Sequence, residues 1–563
     1  MSTSDRLRPT LSEMSDRNPR SDPNWWREGV IYQVYPRSFQ DSDGDGIGDL
    51  RGIISRLDHL RGGPLSLNVD AIWISPFYPS PMADFGYDVT DYCDVDPIFG
   101  SLADFDDLLA AAHERGLRVI VDLVPNHTSD RHPWFIEARA SRSNPKRDWY
   151  VWADPKADGS PPNNWRMAFS GVDRPAWTLD RVTSQYYLHS FLPEQPDLNW
   201  WNPEVRQAFD AILRFWLDRG VDGFRIDVAH RMARDPDLRD NPIYPVMPGE
   251  PLAFWTDEER PMDQDHPEVH AIHRRFRRTL DEYPGSVAIG EVFILDTRRL
   301  VRYYGETGDQ LHLAFNFAFL RAPWTADAFR EQVALFEALL PAAGWPNYTL
   351  SNHDNPRTVS RYAPSGDVER GRRRARLAAV MLLTLRGTAF LYNGEEIGMA
   401  DGPVPLERVV DVAGRDPART PMQWDGSSHG GFTTSEPWLP VNPETARVNA
   451  ADQREMPGSI LDLYRSLIAL RRETPALRRG DYRAVEPVPD GVFAYLREFE
   501  GERWFVALNF GDVPVRLVLP PADSGSQPTG AVRLSTDPSR PLGRTPAALE
   551  LDADEGLVVE LGP

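Results

Sequence analysis

One cysteine, Cys93, stands in 563 residues. That excludes an intramolecular disulfide and a thiolate zinc cluster. Its neighbours Tyr92 and Val95 predict a small buried filler rather than a nucleophile. No apolar run reaches the ~18 residues that a membrane span needs. The first 24 residues are polar and charged and lack the apolar core of a signal segment. Residues 1–24 therefore read as a flexible tail, and the protein as cytoplasmic. Positive charge is also short: Lys+Arg 62 against Asp+Glu 84 gives a net charge of −22. Such a surface repels nucleic acid and anionic membrane, which argues against both as partners. It suits a neutral substrate without naming one, because any soluble protein of low pI carries the same charge.

What is present is a large core and a repeating pattern. Hydrophobic residues make up 41% and charged residues 26%, the balance of a folded globular chain. Short β-branched and aromatic runs predict strands at Val30–Pro36, Ala71–Ser75, Val119–Val124, Gly223–Asp227, Ala288–Val292, His312–Phe317, Asn347–Ser351 and Ala389–Asn393. Helical period separates several of them. Phe105, Leu108, Leu109 and Ala112 repeat at i, i+3, i+4, i+7 before Gly116; Val205, Ala208, Phe209, Ile212 and Trp216 do so before Gly220; Leu377, Val380, Met381 and Leu385 lead to Gly387. Repeated βα units imply a parallel sheet, and eight of them fit a (β/α)8 TIM barrel. A doubly wound open sheet is the alternative, but no G-x-G-x-x-G follows the first strand.

The pattern is interrupted twice. Residues 128–196 are rich in Trp, Pro, Asn and Asp and read as a domain inserted after strand three, at the barrel end where active sites are built. An irregular stretch of about 232–284 separates strands four and five. The barrel thus occupies 25–127 and 197–479. From 480 to 563, Val492–Arg497, Trp504–Asn509, Val515–Leu519 and Gly556–Leu561 predict a C-terminal antiparallel β-sandwich.

Polar residues end four of the predicted strands: Asp122-Leu-Val-Pro-Asn126-His127, Gly223-Phe-Arg225-Ile-Asp227, Gly290-Glu291-Val292 and Ser351-Asn352-His353-Asp354. One such break in an apolar run is an ordinary hydrogen bond or ion pair. Four at one rim of a barrel point to catalysis. Arg225 lies two residues before Asp227 on one strand and shares its face, so its charge is expected to keep Asp227 ionised.

These four segments resemble the signature regions of the α-amylase family, glycoside hydrolase family thirteen. Gln195-Pro-Asp-Leu-Asn-Trp200 resembles a further motif of its oligo-1,6-glucosidase and α-glucosidase branch. The resemblance runs from about Trp25 to the C-terminus. It implies a barrel, an inserted domain, a C-terminal β domain and retaining hydrolysis of α-linked glucose. Asp227 matches the nucleophile, Glu291 the general acid/base, and Asp354 the carboxylate that binds hydroxyls of the distorted sugar. Two such carboxyls stand about 5–5.5 Å apart in retaining enzymes, and the acid must hold a proton near neutral pH. Asp84 and Tyr87 match the pair that binds the terminal glucose. His127 and His353 match histidines that contact its hydroxyls, and Phe191 an aromatic wall from the inserted domain. Arg415 matches the arginine that pairs with Asp84 and closes the pocket, making the enzyme exo-acting; Arg419 matches a residue at the pocket mouth. Val228, after the nucleophile, lies where the branch discriminates linkages.

Asp41-Ser-Asp43-Gly-Asp45-Gly-Ile47-Gly-Asp49 follows the first strand. Alternating carboxylates with glycines between them let a short loop wrap a hard cation, or fold as a turn without one. Position twelve is Gly52 rather than the bidentate Glu of an EF-hand. A matching loop in the resembled branch implies structural Ca2+ or Mg2+ on Asp41, Asp43, Asp45, Asp49 and the Ile47 carbonyl. No organic cofactor is implied.

Valine at 228 is associated with α-1,6 bonds in the branch, but Val228-Ala-His230 resembles α-glucosidases of mainly α-1,4 preference. The expectation is an exo-α-glucosidase acting on short α-1,4 sugars, with transglucosylation through the same intermediate. A transferase or isomerase of trehalose or sucrose type, and a non-catalytic sugar-binding protein, are the competing readings. Monomer and homo-oligomer are equally open.

Overall fold

The structure, a computed structural model, describes residues 22–169, 174–242, 260–521 and 529–562. Most of the tail expected over 1–24 lies outside the described residues.

Eight parallel strands form the barrel: β1 Val30–Val34, β2 Ala71–Ile74, β3 Arg118–Leu123, β4 Gly223–Ile226, β5 Val287–Gly290, β6 Leu313–Ala314, β7 Asn347–Thr349 and β8 Thr388–Tyr392. They pair in the order β7-β8-β1-β2-β3-β4-β5-β6. The remaining seam, between β6 and β7, carries no ladder pair among the described residues. Asn347 closes it instead, donating from Nδ2 to the Ala314 carbonyl at 2.7 Å. β6 is shorter than the predicted His312–Phe317 because Asn316 caps a short helix, Phe317–Leu320, by accepting from Phe319 N.

A helix follows each strand. Leu102–Glu114 starts on a capping box between Ser101 and Asp104. Pro203–Arg219 starts on Asn202 with Pro at its first position and stops at the left-handed Gly220. The stretch predicted to be irregular over 232–284 contains a helix, Glu268–Leu280. Its buried Val269, Ile272, His273, Phe276 and Leu280 repeat at helical spacing. The signal was in the sequence, diluted by four arginines on the solvent side.

Strand periodicity sorts side chains into two cores. Val30, Tyr32, Val34, Ile72, Ile74, Val119 and Val121 face the helices. Ile31, Trp73, Ile120, Ile289 and Phe390 fill the barrel interior. Residues 128–196 carry a three-stranded sheet (Trp152–Ala153, Gln185–Leu188, Trp177–Asp180) over a small core of Trp165, Trp177, Tyr186 and Leu188. The C-terminal strands form a six-stranded and a two-stranded sheet, with Leu496, Phe505, Leu517, Leu551 and Val559 packed in one cluster. Cys93 is half-buried rather than buried, and burial pushes its thiol up to about 11. It stays protonated and unreactive near neutral pH.

Candidate active site

The inner layer of the barrel turns polar toward the C-terminal end of its strands. Gln33 pairs in register with Trp73, and Asp122 with Arg225. Trp73 Nε1 donates to Asp122 Oδ2 at 3.1 Å, and the Arg225 guanidinium lies over the Trp73 ring at 5.0 Å. Register alone therefore delivers the buried Asp122–Arg225 pair, 2.9 Å apart.

Asp227 and Glu291 stand one residue beyond β4 and β5. Arg225 Nη1 donates to Asp227 Oδ1 at 2.7 Å, and Nη2 lies 2.9 Å from Glu291 Oε2. Val228, at the positive φ of 34°, donates its N–H to the same Glu291 oxygen at 3.0 Å. One guanidinium brings the two carboxyls together. Arg225 is thus divided among three carboxylates. Its charge pulls the Asp227 carboxyl down, as the sequence suggested, but is shared with two other acids. Burial raises the Asp227 carboxyl well above its ordinary range; Arg225 opposes this, while Glu291 and Asp122 add to it. Burial likewise lifts Asp122 to about 6 against the pull of Arg225.

Above the pair, a cavity of about 70 Å³ is walled by Asp84, Tyr87, His127, Phe169, Phe191, Asp227, Val228, Glu291, Asp354 and Arg415. Its far end is a second network centred on Arg415. This side chain meets Asp84 Oδ1 at 2.6 Å, Asp354 Oδ1 at 2.9 Å and Asp411 Oδ1 at 2.6 Å. Gln195 Nε2 holds the other oxygen of Asp84 at 3.0 Å. Burial disfavours the Asp354 charge, but Arg415 and Arg419 beside it prevail and hold the carboxyl far below the usual range. One carboxylate of the cavity, Asp354, is therefore firmly anionic. His127 packs edge-on to Phe191 with centroids 5.3 Å apart, and Phe191 packs on Phe169. Carboxylates, an arginine and aromatic faces in one small cavity suit the polar edges and apolar faces of a sugar ring.

Three expected residues lie behind the wall rather than in it. Arg225 is beneath the pair and 1% exposed. His353 is fully buried; it meets Tyr87 OH at 2.8 Å and Gln33 Nε2 at 2.8 Å, and burial pulls it down to about 3, so it is neutral. Arg419 is not at a mouth. It is 1% exposed, donating to Asp354 Oδ1 at 2.8 Å and to the His353 carbonyl at 2.9 Å. Sequence reasoning noted Asp122 as a polar strand end without giving it a role, and missed Asp411 and Phe169. Asp122 breaks an apolar strand at the level of Arg225, and Asp411 precedes Arg415 by four residues. Phe169 lies in an irregular segment and gave no signal.

The loop after β1 brings Asp41, Asp43 and Asp49 together, each with an oxygen within 4.8 Å of the others. Asp45 accepts from Ile47 N at 2.7 Å and is outside that group, though near enough to feel its charges. Asp41 accepts from the N–H groups of Asp43, Gly44 and Gly46, and Asp49 from Ser42 and Gly52. Three converging carboxylate oxygens fit a hard cation. The loop is also closed by its own amides.

The family description "Alpha amylase, catalytic domain" matches residues 33–480. The chain is similar to the protein named "Probable alpha-glucosidase" of Rhizobium meliloti, at 45% identity over 91% of this chain and 94% of that one. The oligo-1,6-glucosidase of Heyndrickxia coagulans is 39% identical over 87% and 92%. Among solved structures, the α-glucosyl transfer enzyme XgtA superposes with a TM-score of 0.86 at 41% identity, covering 96% of this chain and 99% of that one.

Proposed function

Because the chain belongs to the α-amylase family and is a glycoside hydrolase of the α-glucosidase type, we propose that it removes terminal α-linked glucose from short sugars by a retaining mechanism on Asp227 and Glu291. The observation that carries this reading is the Arg225 fork that grips both carboxyls inside a cavity closed by Asp84 and Arg415. Two carboxyls held on one guanidinium favour the separation of about 5–5.5 Å of a retaining enzyme over the roughly 6.5–9.5 Å of an inverting one.

The first step has Asp227 attack the anomeric carbon with the oxygen that Arg225 leaves free. The bond from that carbon to the glycosidic oxygen breaks as Glu291 gives its proton to the leaving oxygen. Departure of the leaving group admits water, which attacks the anomeric carbon, gives a proton back to Glu291 and releases Asp227. An acceptor sugar in place of water gives transglucosylation. Asp354 is the fixed anion facing the ring hydroxyls. Asp84 and Arg415, already paired, occupy the space that further sugar units would need beyond the non-reducing end, which favours exo action. Tyr87, His127 and Phe191 supply the apolar and polar wall, with His353 and Arg419 supporting it from behind.

Val228 lines the cavity beside both carboxyls, which supports a part in linkage choice; α-1,4 substrates such as maltose rank first. Asp41, Asp43 and Asp49 would hold Ca2+ or Mg2+, which would supply structural charge neutralisation away from the chemistry. No helix of the described residues is long and apolar enough to cross a membrane, which is compatible with a cytoplasmic place.

The test is product analysis on maltose, isomaltose, sucrose and trehalose, with Asp227→Asn as the blank. Glucose released from maltose initially as the α-anomer, and absent with the variant, is the expected result. New disaccharides with little free glucose would replace the hydrolase reading by an isomerase or transferase. No turnover of any sugar would favour a binding protein.

A further inference from the structure

Arg37 is a buried cation without a salt bridge, with Asp96 and Asp45 acting on it only at longer range. It is 8% exposed, its Nε and Nη1 have no hydrogen-bond partner, and no carboxylate lies within ion-pair distance among the described residues. What it touches is aromatic. Its guanidinium lies 4.8 Å from the Trp438 ring and 5.5 Å from the Phe85 ring, and those two rings are 5.6 Å apart. The charge is held by ring faces in place of a salt bridge.

Phe85 is not an ordinary packing residue. It has φ 46°, next to Gly86 at φ 107°, in the loop that carries Asp84 and Tyr87. A bulky residue in the left-handed region is strained and persists only where its surroundings impose it. The loop lies between Asp84, which meets Arg415, and Tyr87, which meets His353. Trp438, the other face of the cluster, donates its N–H to Gly46 O at 3.0 Å and its Nε1 to Ser38 Oγ at 3.1 Å. The cluster is therefore anchored to the β1 end and to the Asp-rich loop.

We propose that Arg37 is a positioning residue for the terminal-sugar pocket: stacked on Phe85 and braced by Trp438, it holds the strained turn that aims Asp84 and Tyr87 into the cavity. This rests on the reading of that cavity as the glucose site. Arg37 touches no reacting atom, so its effect falls on binding before chemistry.

The experiment compares Arg37→Met, Arg37→Lys, Phe85→Leu and the double variant Arg37→Met with Phe85→Leu. Glucose affinity is measured by calorimetry, KM and kcat on maltose, and Tm alongside. Arg37→Met is expected to weaken glucose binding and raise KM about tenfold, the scale of a lost desolvated cation–π contact, with kcat changed less. Arg37→Lys recovers only part, because an ammonium lacks the planar face that stacks. The double variant behaves like the worse single one. A lowered Tm with glucose affinity and KM unchanged would reduce Arg37 to structural packing and overturn the proposal. So would losses that multiply in the double variant. If Arg37→Met does not fold, Phe85→Leu and Arg37→Lys carry the same comparison. Wild-type protein that binds no glucose at all would remove the pocket reading, and this proposal with it.

Discussion

Arg415 and Asp84 meet at 2.6 Å across 331 residues of chain, and the same guanidinium grips Asp354 and Asp411. Three carboxylates share this cation, and Arg419 backs it at Asp354 and Asp411. Removing one partner of a buried pair costs about 3–5 kcal/mol because charge is left uncompensated. Arg415→Ala is expected to lower Tm and to cut kcat/KM on maltose by more than about a hundredfold, since ~2.7 kcal/mol of lost binding already gives that factor. Asp84→Asn, which keeps shape and hydrogen bonding, is expected to raise KM with a smaller Tm loss. Thermal melts and steady-state kinetics read both; a benign Arg415→Ala would refute the network.

Glu291→Gln separates the two steps. Loss of the general acid is expected to slow maltose turnover by about 10²–10⁴-fold. An aryl glucoside with an acidic leaving group needs less protonation and should keep a fast first step. The glycosyl ester on Asp227 then accumulates and is visible by mass spectrometry. Equal loss on both substrates would argue that Glu291 is not the acid.

Burial raises the Asp227 carboxyl, and attack requires its ionised form. As pH falls, the ionised fraction is lost from the raised value downward. The acid limb of kcat/KM is expected above the ordinary aspartate value of about 3.9. A limb at or below that value would show that Arg225 dominates Asp227 after all. A pH profile on an activated aryl glucoside reads this most directly.

His273 is buried and pulled down to about 3, with burial as the main cause. In the unfolded chain it titrates near 6.5. Between those two values the unfolded state binds a proton that the folded state refuses, so stability falls as pH drops from about 6.5 toward 3. His273→Gln retains a donor for the Ala229 carbonyl, which His273 Nε2 meets at 2.9 Å. It cannot titrate. The wild-type stability advantage should shrink by about 3 kcal/mol between pH 7 and pH 4. Chemical denaturation at both values tests this; a constant difference would contradict it.

The Asp-rich loop gives a metal test. If Asp41, Asp43 and Asp49 hold Ca2+, saturation at a hundredfold over Kd adds about 2.7 kcal/mol to stability. Chelation should then lower Tm, and Asp43→Asn should abolish the difference while folding normally, because Asp41 and Asp49 carry most of the amide bonds. An unchanged Tm in chelator and in Ca2+ would leave a self-closed turn.

Much of the molecule was legible before any coordinate. The strands of a barrel alternate in and out with period two, so the polar breaks at Asp122, Asp227, Glu291 and Asp354 marked the rim on which they sit. Helices stood out where apolar spacing and a stop glycine agreed, as before Gly116 and Gly220. Glu268–Leu280 escaped because charge on its solvent face masked the same spacing.

Sequence patterning determined which residues face the barrel interior and which strand ends carry acid, because local periodicity fixes the side on which a side chain emerges. It could not determine who shares a charge with whom. That Arg225 serves Asp122, Asp227 and Glu291 together, that Arg419 lies beneath the pocket and not at its mouth, that Asp45 leaves the carboxylate group of its own loop, and that Arg37 rests on two rings are consequences of strand register and of loops meeting from hundreds of residues apart. Electrostatic and packing energies depend on distance in space, and only the closed barrel sets those distances.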